Sequence, residues 1–180
     1  ENVDNIFIAM WGDNGKECSY FSMLPCLYKL RCVYDGETDE KTIKSNFKNI
    51  VGEDYDSLSD MDIPNYVGGQ DCVIQNIAKN MLYSDPFLGY LDSVCKEQVS
   101  FEYNEHAERL SNNAKRSKEF AYLYESSSAL CKLMSVKYGL GAKTRKAYMN
   151  KDKKLLKEVI DDYYKAEELL QIFYKKFKIL

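Results

Sequence analysis

The chain has 180 residues, with 25 Lys and Arg against 28 Asp and Glu, and a net charge of −3. That length suits one domain, or one domain with part of another, and is enough to bury a core. The near-balanced charge gives no overall electrostatic reason to expect nucleic acid or an anionic membrane as partner, and no apolar run approaches the roughly 20 residues of a membrane-spanning helix.

The first element is a short apolar run, Ile6-Phe7-Ile8-Ala9-Met10, which stops at Trp11-Gly12-Asp13-Asn14-Gly15. A helix is predicted from about Lys16 to Tyr34, with Phe21, Leu24, Leu27, Tyr28 and Leu30 as its apolar stripe. Strand, glycine-punctuated turn and helix make the pattern of one β/α unit of a parallel sheet. Residues just past a strand's C-terminal end face the ligand in α/β enzymes, and Trp11 and Asp13 stand there. An aromatic ring beside a carboxylate suits a sugar: the ring covers the C–H face, and the carboxylate accepts from hydroxyls. Pro25 bends this helix or moves its start later, and Asp35-Gly36 ends it.

A second helix is predicted behind a cap at Thr38 or Asp39, with Ile43, Phe47 and Ile50-Val51 on one face and Gly52 as terminator. The carboxylates Asp54, Asp56, Asp60 and Asp62 follow. A calcium loop counted from Asp54 would place Leu58 and Ser59 where Asp or Asn and then Gly are required, so these acids read as solvated helix caps. Ile63-Pro64-Asn65 with Gly68-Gly69 reads as a loop, and a short helix follows over about Asp71 to Tyr83. Ser84-Asp85-Pro86 closes it, with Pro86 suited to the first turn of the next segment, Phe87 to Cys95.

From about Ser100 to Tyr138 the pattern is long and helical, with His106 on a charged face beside Glu105, where it reads as solvated. Gly139 and Gly141 interrupt it, and a further helix runs to Asn150. Asp152 should cap the last helix, about Lys153 to Lys178, whose stripe is Leu156, Val159-Ile160, Tyr163, Leu170, Phe173 and Phe177. The tight connection Asn150-Lys151-Asp152 predicts antiparallel packing of these two helices.

The six cysteines include no C-x-x-C pair, and one histidine is present, which argues against a zinc site. Cys18, Cys26 and Cys32 fall on or beside one helix, too far apart to bridge. Buried free thiols suit a reducing compartment, and a cytoplasmic setting is the expectation.

The run W-G-D-N-G-x-E-C-S at residues 11–19, followed by F-x-x-L-P at 21–25, resembles the last strand, turn and helix of a family 20 glycosidase barrel. The likeness is to the bacterial exo-β-N-acetylhexosaminidases that carry a helical C-terminal extension, and D-P-F-L-G-Y-L-D at 85–92 also resembles that extension. The resemblance implies that Trp11 lines the wall of the terminal-sugar pocket and that Asp13 holds sugar hydroxyls. Asp13 stands where the family more often has Glu. In this family the substrate's own acetamido oxygen attacks the anomeric carbon, oriented by an Asp, with a Glu as general acid and base. That pair belongs to a much earlier strand and is not among these residues. Residues 1–34 then read as the last β/α unit of an incomplete barrel and 35–180 as a helical C-terminal domain. The fold class is mainly α, a bundle of about six to eight helices preceded by one strand and one helix. The implied partners are the terminal N-acetylhexosamine of glycans, the rest of the catalytic barrel and a second copy in a homodimer; no cofactor, metal, nucleic acid or membrane is implied. Such a fragment should be inactive alone. The alternative is an independent helical interaction module without enzymatic activity.

Overall fold

The computed structural model describes residues 5–7, 23–36, 39–65, 77–94 and 99–178. Among them are eight α-helices: α1 Met23–Asp35, α2 Glu40–Val51, α3 Tyr55–Ser59, α4 Ile77–Tyr83, α5 Val99–Arg116, α6 Ala121–Lys137, α7 Leu140–Met149 and α8 Lys153–Phe177. The chain divides into two compact units, Glu1–Met61 and Asp62–Leu180.

In the first unit α1, α2 and α3 pack together. Pro25 is the third residue of α1, and Gly36 follows the helix with φ 72°. Helix α2 is capped at both ends as its sequence requires. The Asp39 carboxylate accepts from the Thr42 N–H at 3.0 Å, and Gly52 takes φ 83° while its N–H bonds to the Lys48 carbonyl. The Thr42 hydroxyl and N–H hold the Asp39 carboxyl below its usual range. Ile43 and Phe47 are buried, and Phe47 meets Tyr55 edge to face at 5.6 Å. Asp54 caps α3 and Asp56 pairs with Lys44 at 2.7 Å, but Asp60, expected to be solvated, is buried at the end of α3. The Lys44 ammonium, also paired with Glu40, has its pKa raised by the Asp56 and Glu40 hydrogen bonds.

In the second unit α6 is the central helix: α4, α5, α7 and α8 all pack on it. Its small residues Ser126, Ser127, Ser128 and Ala129 are buried, which lets neighbouring backbones come close. The Ser128 hydroxyl donates to the Ala107 carbonyl of α5 at 2.7 Å. Helices α5 and α6 are antiparallel, since Tyr103 near the start of one meets Tyr138 past the end of the other, ring centroids 5.8 Å apart. The Tyr103 hydroxyl donates to the Pro64 carbonyl at 3.1 Å, anchoring the 3-10 turn Asp60–Asn65. Leu133 and Leu140 form the core with Val159 and Ala166 of α8, and Tyr163, Leu169 and Phe173 pack against it. Asp152 accepts from the Lys154 and Leu155 N–H groups, each at 3.0 Å, starting α8. Lys143 pairs with Asp162 at 2.7 Å, which sets α7 antiparallel to α8.

Several sequence expectations are corrected. The predicted strand Ile6–Met10 is not shown: Ile6 and Phe7 are exposed and outside any regular element, and the rest of the run lies outside the described residues. A strand needs a neighbour for its ladder bonds, and the described residues contain none. The long Ser100–Tyr138 pattern is two helices, because Ser117 turns its hydroxyl onto the Phe120 N–H at 3.1 Å and reverses the chain. Residues 63–65 belong to a 3-10 turn, and Phe87 onward forms turns around Gly89 and the 3-10 segment Asp92–Val94 in place of regular helix. On α2, Ile50 is exposed; on α8, Leu169 is packed inward whereas Ile160 and Leu170 face outward. Apolar residues occur on both sides of α8, so periodicity alone did not choose the buried side. His106 is half-buried on α5.

Leu133→Ala should cost about 2–5 kcal/mol in urea unfolding, as a buried leucine leaving a cavity. Leu170→Ala, on the exposed side, should stay within about 1 kcal/mol. Burial pushes the Cys131 thiol up to about 12, so at neutral pH it stays protonated. Alkylation followed by mass spectrometry should find Cys131 unmodified in the folded chain and modified in urea.

Candidate functional site

Trp11 and Asp13, the residues the sequence points to, lie outside the described residues, so they have no geometry here. What the structure does build is a braced loop over Ser84–Val94, which contains D-P-F-L-G-Y-L-D. Lys137, at the end of α6, donates to the carbonyls of Met81 at 3.1 Å and Ser84 at 2.8 Å, tying down the end of α4. The Asp85 carboxylate accepts from the Phe87 N–H at 2.7 Å, which sets the first turn of the loop. Gly89 carries φ 75°, and a Cβ there would lie 3.0 Å from the Arg145 Nε.

Arg145 of α7 closes the loop. Its guanidinium holds both carboxylate oxygens of Asp92 in a fork and donates a further bond to the Pro86 carbonyl. Residues 53 and 59 positions apart are thereby joined through one side chain. Gly141, one turn earlier on α7, allows this approach: a Cβ there would lie 2.7 Å from the Pro86 carbonyl oxygen. Phe87 stacks on Tyr163 of α8, centroids 5.9 Å apart and planes at 11°, and the Tyr163 hydroxyl meets the Thr144 hydroxyl at 3.2 Å.

The braced backbone presents a cluster of apolar side chains to the outside. Tyr83 is 79% exposed, Phe87 68%, Leu88 59% and Tyr90 80%. Holding three large apolar side chains in water on a braced loop, with Tyr83 of α4 beside them, favours contact with another surface. The loop's two carboxylates are committed to the Phe87 N–H and to Arg145, and no group of three or more side chains that could hold a metal ion occurs among the described residues. Sequence reading saw the D-P-F-L-G-Y-L-D run and named Gly141 only as an interruption of the helical pattern, whereas it lies within α7; Arg145 was not singled out. The two aspartates that bracket the run were the available signal, since a loop with fixed ends needs cations or N–H groups for them.

The fold is that of a helical domain with a braced, apolar loop on its surface. The profile of the Glycoside Hydrolase 20C C-terminal domain matches residues 53–179, and the chain belongs to that family. It includes a C-terminal portion of a family 20 glycoside hydrolase. No curated protein matches the chain.

Two variants test the brace. Asp92→Asn should cost about 1.5–3 kcal/mol, the usual contribution of hydrogen bonds to a charged group, and should make the loop sensitive to limited proteolysis at Tyr90. In a helix Gly→Ala usually gains about 1 kcal/mol, so a net loss of stability in Gly141→Ala would report the Pro86 contact directly.

Proposed function

We propose that this chain is the C-terminal part of an exo-β-N-acetylhexosaminidase, an enzyme that removes terminal N-acetylhexosamine from glycans by substrate-assisted hydrolysis. The reading rests on one observation: the C-terminal-domain match begins at residue 53, just downstream of the W-G-D-N-G-x-E-C-S run. A barrel's last β/α unit followed by its C-terminal domain would have this order. Residues 1–34 would complete the barrel, and the catalytic Asp–Glu pair would come from an earlier strand. Alone, this chain hydrolyses nothing.

In this reading Trp11 covers the apolar face of the terminal sugar and Asp13 accepts hydrogen bonds from its hydroxyls. Both act by holding the ring while the acetamido group attacks. The exposed loop of Phe87, Leu88 and Tyr90 serves as a contact face toward the part of the intact enzyme that lies outside this chain. Its bracing supports that role, because a fixed loop loses little entropy on docking.

The test is hydrolysis of a chromogenic N-acetyl-β-glucosaminide by the full enzyme beside its Trp11→Ala and Asp13→Ala variants. Each should lose on the order of 10–100-fold in kcat/KM, the scale of a lost hydrogen bond or stacking contact to substrate. Unchanged kinetics in both variants would remove them from the sugar site. An inactive full enzyme would leave an interaction module as the better reading.

A further inference from the structure

The net charge of −3 conceals a strong local segregation. Between residues 143 and 157 there are seven basic side chains and one acid, Asp152, leaving 18 basic against 27 acidic residues elsewhere. The structure sorts the seven. Lys143 is paired with Asp162 and Arg145 with Asp92. The other five, Lys146, Lys151, Lys153, Lys154 and Lys157, are exposed and in no ion pair among the described residues. Asp152, the acid among them, has its carboxylate committed to the first N–H groups of α8. The nearest other acid along the chain is Glu158, exposed on α8.

These lysines surround the α7–α8 turn, where Tyr148 is 75% exposed and Met149 is 78% exposed. The turn closes the α7–α8 hairpin beyond the C-terminal end of α6. Lys176 of α8 pairs with Glu125 of α6 at 2.5 Å, and α6 ends twelve residues later at Lys137. At equal rise per residue, the part of α8 before Tyr164 lies beyond that end. A turn with two large exposed apolar side chains among five exposed lysines has the makeup of a surface that enters the interfacial layer of a bilayer. The lysines stay with the headgroups, Tyr148 sits at the interface with its hydroxyl in water, and Met149 reaches the acyl boundary.

We propose that the α7–α8 turn binds anionic lipid membranes, with the five lysines supplying attraction and Tyr148 and Met149 the insertion. Charge complementarity selects the anionic bilayer. The two apolar side chains favour it over a soluble polyanion, which would offer them nothing to enter.

The experiment is co-sedimentation of the chain with vesicles of phosphatidylcholine mixed with phosphatidylglycerol, and with pure phosphatidylcholine vesicles. The chain should partition onto the anionic vesicles only, and added NaCl should release it. At about 1 kcal/mol, or fivefold, per lysine, Lys151→Gln/Lys153→Gln/Lys154→Gln should lower partitioning on the order of 100-fold. With all lysines kept, Tyr148→Ser/Met149→Ser should lower it by at least about tenfold. Circular dichroism checks that each variant is folded, and the salt series on the unchanged chain stands if the triple variant is not. Absence of binding, equal binding to both vesicle types, or an unchanged folded triple variant would overturn the proposal. So would binding to anionic vesicles and to heparin alike that ignores Tyr148→Ser/Met149→Ser, since the site would then recognise charge alone.

Discussion

The contact on which the larger unit depends is the close approach of α6 to its neighbours. A helix buried on several sides cannot carry long polar side chains, and along its middle α6 has Ser126, Ser127, Ser128 and Ala129. Buried hydroxyls are tolerated only when they find acceptors, and Ser128 finds the Ala107 carbonyl of α5. Small residues here set the interhelical distance. The larger buried side chains, Leu123, Tyr124, Leu133 and Met134, then fill the spaces left at either side. Once α6 is fixed, α5 and α8 have faces to pack on, and Leu140 at the start of α7 completes the core with Val159 and Ala166.

The brace on the 84–94 loop is a second-order consequence of the same arrangement. Lys137 ends α6 and Arg145 lies on α7, so both cations that hold the loop are placed by the central packing and not by the loop itself. The loop has little means of fixing its own shape. It contains turns, one glycine in a left-handed conformation and large side chains that are mostly exposed. Rigidity is imported from the helices, and the apolar surface is left available for a partner.

Helix ends were the most legible part of the chain. Asp39, Gly52 and Asp152 act locally, through hydrogen bonds to groups within four residues, and the structure finds each in the predicted role. The antiparallel α7–α8 pair was legible for the same reason, because a two- or three-residue connection leaves few geometries. The Ser117–Phe120 reversal was missed because no Gly or Pro marks it; a serine hydroxyl makes the turn. The inward face of α8 was half legible. Val159, Tyr163 and Phe173 were named, but Leu169 and Leu170 are equivalent to a periodicity argument until the partner helix is known. The Arg145–Asp92 fork lies between residues 53 positions apart, which no local pattern can pair. For the sugar-pocket residues Trp11 and Asp13 the sequence supplies motif and chemistry, and their position lies outside the described residues.

The span of these long contacts also bears on how the chain matures during synthesis. A ribosome delivers Tyr83, Phe87, Leu88 and Tyr90 well before Lys137 and Arg145, which come 53 to 59 positions after the groups they hold. Until those cations emerge, the nascent segment carries sticky aromatic side chains on an unpinned backbone, and closing it must await a loop of more than fifty residues. The aromatic surface is therefore shaped last, by residues made after it, and a nascent chain stopped before Lys137 would expose the same side chains with neither cation to order them.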